Sequence, residues 1–347
     1  MRGLAKTSRE HGAMELLEVP RPEPGPDEVL IEVNYAGLCG SDAGIYRFKD
    51  AFERMELPCI IGHEYTGRVA ATGDRVSSVS VGDRVVERPI RGCGDCHLCR
   101  MGSEHVCEDA TITGVDHDGA FAGYTTAPAR AVLQVPDDVP PQHAAITEPT
   151  SIATRAVGEN SRVRAGDRVL VAGPGPIGQL TAQVARAQGG KVVLAGVERD
   201  ASYRLPLAEQ LGFGTIDVET NDVADAHEEH TDGIGFDVVF DTTGHPSGLE
   251  TSRKAVRKGG QIVLVGLTGE TTTSYVSLVR SEIDIQSSYA SKYEDFVRAL
   301  RLLQSEVVDA ETFLDTRFSL TDGEEPFETF LEGGTCKPVF DLSVLRD

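Results

Sequence analysis

The chain has 347 residues, about twice the length of a typical single domain, so it can build two cores without disulfide staples. Its 33 basic and 55 acidic residues give a formal charge of -22, which excludes nucleic acid and anionic membrane as partners. A hydrophobic fraction of 40%, with no internal repeat and no low-complexity tract, excludes a disordered or repetitive chain.

Only seven of the basic residues are lysine, and acidic residues crowd 222–232 and 322–328. The run Asp222 to Asp232 is read as a solvated face, and a salt-rich cytosol, whose counter-ions screen self-repulsion, is the expected setting. No apolar run reaches the roughly 18 residues of a membrane helix, and Met1-Arg2-Gly3-Leu4 lacks the apolar core of a secretion signal. A cytoplasmic protein is expected.

Residues 1 to about 150 read as β-rich, with few helix signals. Val29 to Asn34 is a strand-like run, followed by Gly37-Leu38-Cys39-Gly40-Ser41-Asp42 and then by Gly62-His63-Glu64. A lone cysteine or histidine is more often a packing residue than a ligand, and Cys59 and Cys336 are read that way. Val81 to Arg88 is the next strand-like run. Cys93, Cys96, Cys99 and Cys107 follow within fifteen residues, in a loop that also holds Gly92, Gly94 and Gly102. In a chain without a secretion signal this clustering points to metal before disulfide. Four thiolates at about 2.3 Å complete a tetrahedral zinc shell and leave no open position, so the site is expected to be structural. His97 and His105, in the same loop, are expected to face solvent, and histidines 11, 117, 143, 227, 230 and 245 to be surface or loop residues.

From about Asp167 the pattern changes to strand, glycine turn and helix. Arg168 to Ala172 is a strand, Gly173-Pro174-Gly175-Pro176-Ile177-Gly178 is the turn, and a helix runs from about Ile177 to Gln188 into the strand Lys191 to Ala195. Glycines between a strand and a helix let the backbone approach a pyrophosphate, which then sits at the positive helix end. The apolar runs Asp237 to Phe240 and Gln261 to Val265 extend the same parallel sheet. The tail, with a helix over Phe296 to Gln304 and a last piece over Lys337 to Leu342, is expected to rejoin the first domain. Cofactor choice should be written about twenty residues after the glycine turn, in Gly196-Val197-Glu198-Arg199-Asp200. There Arg199 favours the 2′-phosphate of NADP, and Glu198 argues against it.

The ordered motifs, Cys39 to Asp42, Gly62 to Glu64, Val81-Gly82-Asp83-Arg84-Val85, the four-cysteine loop, Glu148-Pro149 and the glycine turn, resemble the zinc-containing medium-chain dehydrogenases over nearly the whole length, most closely the sorbitol and polyol branch. The resemblance implies that Cys39 and His63 hold a catalytic zinc, with Glu64 at the same metal. It puts Glu148 where alcohol dehydrogenases of the family carry a second cysteine, which is the polyol pattern. Ser41 takes the proton-relay position, and its hydroxyl can both accept and donate. Gly196 falls where polyol enzymes place an aspartate, which weakens NAD. Gly244 and Val265-Gly266-Leu267 resemble the family's later cofactor-lining turns, and Tyr289 lies in a region that lines the substrate cleft in relatives or forms a sheet-edge aromatic.

The expected fold is a Rossmann-type parallel-sheet domain, 151–292, inserted into a β-rich, GroES-like catalytic domain, 1–150 with 293–347. The expected cofactors are two zinc ions per chain and NAD or NADP, the partner a small alcohol or polyol, and the assembly a homodimer or homotetramer. A zinc lowers the pKa of what binds its open position, so a substrate hydroxyl yields its proton and its carbon becomes a hydride donor. Threonine and simple alcohols are alternative substrates. A zinc-free reductase would lack the residues at 39, 63 and 64. A redox sensor that binds zinc and dinucleotide without catalysis would keep only the cysteine loop and glycine turn.

Overall fold

Val169, Leu170 and Val171 are buried in unbroken succession in strand Arg168–Ala172, the pattern of a strand covered by helices on both faces. The computed structural model, which describes residues 1–219, 229–314 and 316–343, places it inside a six-stranded sheet. The order is Gly214–Asp217, Lys191–Gly196, Arg168–Ala172, Phe236–Asp241, Val256–Leu264 and Asp284–Ser287, with every neighbouring pair parallel. The winding therefore reverses between Arg168–Ala172 and Phe236–Asp241, the crevice where doubly wound sheets bind ligands. Helix Pro176–Ala187 opens with proline at its first turn, where the missing N–H costs nothing. It packs against helix Thr147–Gly158.

The β-rich part is built on strand Glu28–Gly37, which pairs antiparallel with Glu64–Thr72 on one side and with Val339–Asp341 on the other, and also with Tyr124–Pro128. The tail thus returns to the first sheet through the pairs Val339 with Gly37 and Phe340 with Ala36. Aromatic packing locks it there. Phe340 lies 4.6 Å, ring centre to ring centre, from Phe121, and Phe327 stacks on Tyr46 at 5.1 Å. All four are buried.

Several expectations are corrected. The run from Val81 contributes only Arg84–Glu87 as strand, because Ser80 to Asp83 closes a turn with Gly82 at φ +96, leaving Val81 64% exposed. The first part holds helices that the pattern did not reveal, Gly40–Tyr46, His97–Arg100 and Pro141–Ala144, and helix Thr147–Gly158 runs on from it past residue 150. Both sheet-edge strands, Gly214–Asp217 and Asp284–Ser287, went unread, being four residues long and not apolar. His105 is buried rather than solvent-facing. Residues 222–228 of the acidic run, with His227, lie outside the described residues.

Phe340→Ala should cost about 3–5 kcal/mol, the range for emptying a buried phenylalanine site. Urea unfolding would measure it, and an unchanged midpoint would mean that the tail is not held by this cluster.

Candidate metal centres and dinucleotide cleft

Strands Ile90–Arg91 and Thr111–Ile112 pair at the base of the four-cysteine lobe and bring its two ends together. Within it, Cys93 Sγ lies 3.9 Å from Cys99 Sγ, and Cys96 Sγ lies 3.7 Å from Cys107 Sγ. A tetrahedron with metal–sulfur bonds of about 2.3 Å has an edge of about 3.8 Å, so the sulfurs stand at zinc-binding separations. Backbone N–H groups of Cys93, Cys96 and Cys99 point at Cys107, Cys93 and Cys96 Sγ, at 3.4 to 3.5 Å. Such donors favour thiolate, and those of Cys96 and Asp95 lower Cys93 to about 7. Gly92 is required, since a Cβ there would lie 2.7 Å from Cys99 Sγ. Zinc held here would pin a lobe with little apolar core.

A second cluster joins residues far apart in sequence. Cys39 is the N-cap of helix Gly40–Tyr46, while His63 and Glu64 enter strand Glu64–Thr72 behind Gly62, whose φ of +95 turns the chain. Each of the three offers a ligand atom within 4.8 Å of the other two. Thiol, imidazole and carboxylate form a donor set suited to zinc, and three protein donors leave the open position of a catalytic site. Asp42 braces two of them. Its Oδ2 accepts the Cys39 backbone N–H at 2.9 Å, and its Oδ1 lies 3.6 Å from His63 Nδ1, leaving Nε2 for a metal. Ser41 Oγ lies 3.5 Å from that Nε2.

The electrostatics follow from burial. Burial would lower His63, but the Asp42 carboxylate outweighs it and holds the imidazole well above its usual value. Burial, then the Glu64 charge, pushes the Cys39 thiol up. Lys337 is buried and ion-paired with Glu64; that carboxylate and Cys39 overcome the desolvation of its ammonium and raise it. Glu148, at the start of helix Thr147–Gly158, stands outside the three-residue cluster but is close enough to feel it. Burial and then the Glu64 charge push it up to about 7.

A cleft of about 600 Å³ runs from this cluster to the glycine turn, lined at one end by Cys39, Glu64 and Lys337 and at the other by Gly173, Gly175, Pro176 and Ile177. Gly173 has φ +98, and Thr242 Oγ1 pins the turn by donating to the Ala172 and Gly173 carbonyls at 2.8 and 2.9 Å. Nothing lies within 4 Å of a Cβ built on Gly175, which leaves its backbone open to an anion at the helix end. Gly178 does not line the cleft; a Cβ there would sit 1.8 Å from the Gly173 carbonyl, so it serves helix–turn packing. Gly244 and Gly266 likewise pack on each other beside the buried Val265, with a Cβ on Gly266 falling 2.3 Å from the Gly244 nitrogen.

Beyond the strand end, Arg199 lines the cleft with its side chain 60% exposed, whereas Glu198 does not. A Cβ on Gly196 would lie 2.9 Å from Pro174 Cγ and 3.2 Å from Asp200 Cβ, so a longer side chain is crowded there. Glu219, which accepts the Glu198 backbone N–H at 2.9 Å, also lines this end, as does His245. Sequence reading missed Asp42, Lys337, Thr242 and Glu219. Asp42 stands in the Cys39 to Asp42 motif without a role assigned to it, and nothing near Lys337 marks it.

Residues 25–137 match the family described as alcohol dehydrogenase GroES-like domain, and residues 176–305 match that described as zinc-binding dehydrogenase. The chain is 32% identical to D-arabitol-phosphate dehydrogenase of Enterococcus avium, over 98% of this chain and 97% of the relative. It is 33% identical to sorbitol dehydrogenase of Halalkalibacterium halodurans, over 97% and 98%. It is 35% identical to L-threonine 3-dehydrogenase of Pyrococcus furiosus, over 99% of both. Among solved structures, one from Sinorhizobium meliloti bound to NADP superposes with a TM-score of 0.88 at 27% identity, covering 98% of each chain. An Escherichia coli alcohol dehydrogenase complexed with NADH gives 0.89 at 28%, covering 98% of this chain and 99% of that one.

Cys107→Ser should release one zinc per chain, read by elemental analysis, and expose the lobe to protease while dinucleotide affinity stays unchanged. Full zinc retention would remove the metal from the four-cysteine assignment.

Proposed function

The chain belongs to the zinc-dependent medium-chain dehydrogenases of the polyol branch, and we propose that it oxidises a secondary alcohol of a polyol or sugar, or reduces the corresponding carbonyl, against a nicotinamide dinucleotide. The observation that carries the reading is the single cleft joining the Cys39, His63 and Glu64 cluster to the glycine turn. Zinc held by those residues, with Glu148 the nearest further carboxylate, would supply a Lewis acid at the substrate hydroxyl oxygen, and the dinucleotide would supply the hydride acceptor.

The chain's own residues do the remaining work. Asp42 fixes the orientation of His63 and caps the helix that presents Ser41. Ser41 Oγ accepts the proton lost by the substrate hydroxyl and passes it towards solvent. The backbone around Gly175 and the positive end of helix Pro176–Ala187 receive the pyrophosphate. Arg199 offers a cation for a 2′-phosphate, and Glu219 an acceptor for a 2′-hydroxyl, so NAD+ and NADP+ are both to be tried.

Cleft charge favours a neutral substrate. Arg204 is tied to Asp200 and to the Phe330 and Thr335 carbonyls, Lys337 is tied to Glu64, and Arg199 stands at the far end. Among the described residues lining the cleft, none at the metal end offers a free cation to a carboxylate or phosphate, which favours polyols over threonine or a sugar phosphate. The same reading divides the chain into 1–150 with 293–347 and an inserted 151–292, and sets it in a salt-rich cytosol. No helix among the described residues is long and apolar enough to cross a membrane.

A homo-oligomer is supported by the sheet edge. Strand Asp284–Ser287 is exposed and terminal in its sheet, and Tyr275, Val276 and Val279 on the adjoining helix Tyr275–Arg280 are more than half exposed. Pairing with a second copy would cover both.

Nicotinamide absorbance should rise when the protein meets a polyol and the right dinucleotide in concentrated potassium chloride, and a chelator should stop it. Cys39→Ala should abolish turnover and spare dinucleotide binding. Silence towards polyols, aldoses, threonine and simple alcohols from folded protein holding one zinc per chain would favour the non-catalytic binding protein instead. Ile285→Arg should lower the mass seen by light scattering, and an unchanged mass would move the interface elsewhere.

A further inference from the structure

Lys337 is one of only seven lysines in the chain and is wholly buried. It lies two residues before strand Val339–Asp341, on the returning tail. Its Nζ donates to the Leu38 carbonyl at 3.0 Å and to Glu64 Oε2 in a short ion pair. Leu38 directly precedes Cys39, so a single ammonium ties the tail to the backbone before one proposed ligand and to the carboxylate of another.

Strand register explains how the pair fits. Gly37 is paired with Glu64 on one side and with Val339 on the other. A Cβ at position 37 would lie 2.7 Å from Glu64 Oε2 and 2.9 Å from Lys337 Cε. The ion pair therefore crosses the sheet over the one residue type that leaves room for it.

Charge supplies the second argument. Cys39, Glu64 and Glu148 gather three acidic donors, with the buried Asp42 carboxylate beside His63, and only Glu64 of the three donors is fully buried. Lys337 is the ammonium in direct contact with that buried carboxylate. Its bond to Oε2 leaves Oε1 the less encumbered oxygen of Glu64.

We propose that Lys337 is a positioning residue of the Cys39, His63 and Glu64 centre: it holds Glu64 to one-oxygen contact with the metal. The proposal rests on the reading that these three residues bind a metal. Without the ammonium, both oxygens of Glu64 can reach the metal, and the coordination number rises.

Cobalt(II) put in place of zinc reports coordination directly, with the Cys39→Ala spectrum subtracted to isolate this centre. Wild type should give thiolate-to-metal charge transfer with strong four-coordinate d–d absorption. In Lys337→Met the d–d intensity should fall by about half or more as a further oxygen joins, and Lys337→Arg should keep the wild-type spectrum. A Lys337→Met spectrum superimposable on wild type would overturn the proposal while leaving the metal reading intact. If Lys337→Met does not fold, Gly37→Ala, which retains both charges but wedges the pair, must give the same loss of intensity, and an unchanged spectrum overturns the proposal equally. No Cys39-dependent absorption in wild-type protein would overturn the metal reading itself, and the proposal with it.

Discussion

Buried like charges set the strongest constraint on this molecule. Burying an ion costs several kcal/mol unless a partner answers it, and Cys39, Glu64 and Glu148 gather three acidic groups in one space. Each of the neighbouring features answers that cost. Asp42 turns His63 towards the cluster, and Lys337 brings an ammonium across the sheet to the buried Glu64 carboxylate. Burial and then the Glu64 charge push Glu148 up to about 7. A site so arranged is poised for a divalent cation and would be strained by an apolar occupant.

The fold makes that gathering possible because its two sheets solve different problems. The antiparallel sheet fixes register, so that Gly37, Glu64 and Val339 lie side by side although more than three hundred residues separate the extremes. The parallel sheet fixes a crevice at its reversal of winding, where the glycine turn opens. One cleft spans the two, which places a would-be hydride acceptor beside a would-be activated hydroxyl without either sheet having to bend.

What could be read in advance followed from sequence distance. The four cysteines are neighbours, so their spacing alone described a tetrahedral site, and strand, turn and helix in 168–188 are likewise local. The second cluster was legible only because its flanking motifs resemble a family; Cys39 and His63 alone carry no mark of function. Lys337, Thr242 and Glu219 were illegible, because their partners are supplied by register and not by spacing. The edge strands escaped for another reason. A strand exposed on its outer side needs no apolar run, so hydrophobic periodicity has nothing to detect.

An acidic chain of charge -22 that binds an anionic dinucleotide is a contradiction only if net charge governs binding. At physiological ionic strength the Debye length is about 8 Å, and in a salt-rich solution it is shorter, so most surface carboxylates are not felt in the cleft. What remains is local: the open backbone of Gly175, the end of helix Pro176–Ala187, and Arg199 at the rim. Backbone dipoles keep their orientation whatever the surface carries. Salt screens the repulsion without weakening that short-range cradle in proportion, so a strongly acidic surface is compatible with an anion-binding cleft.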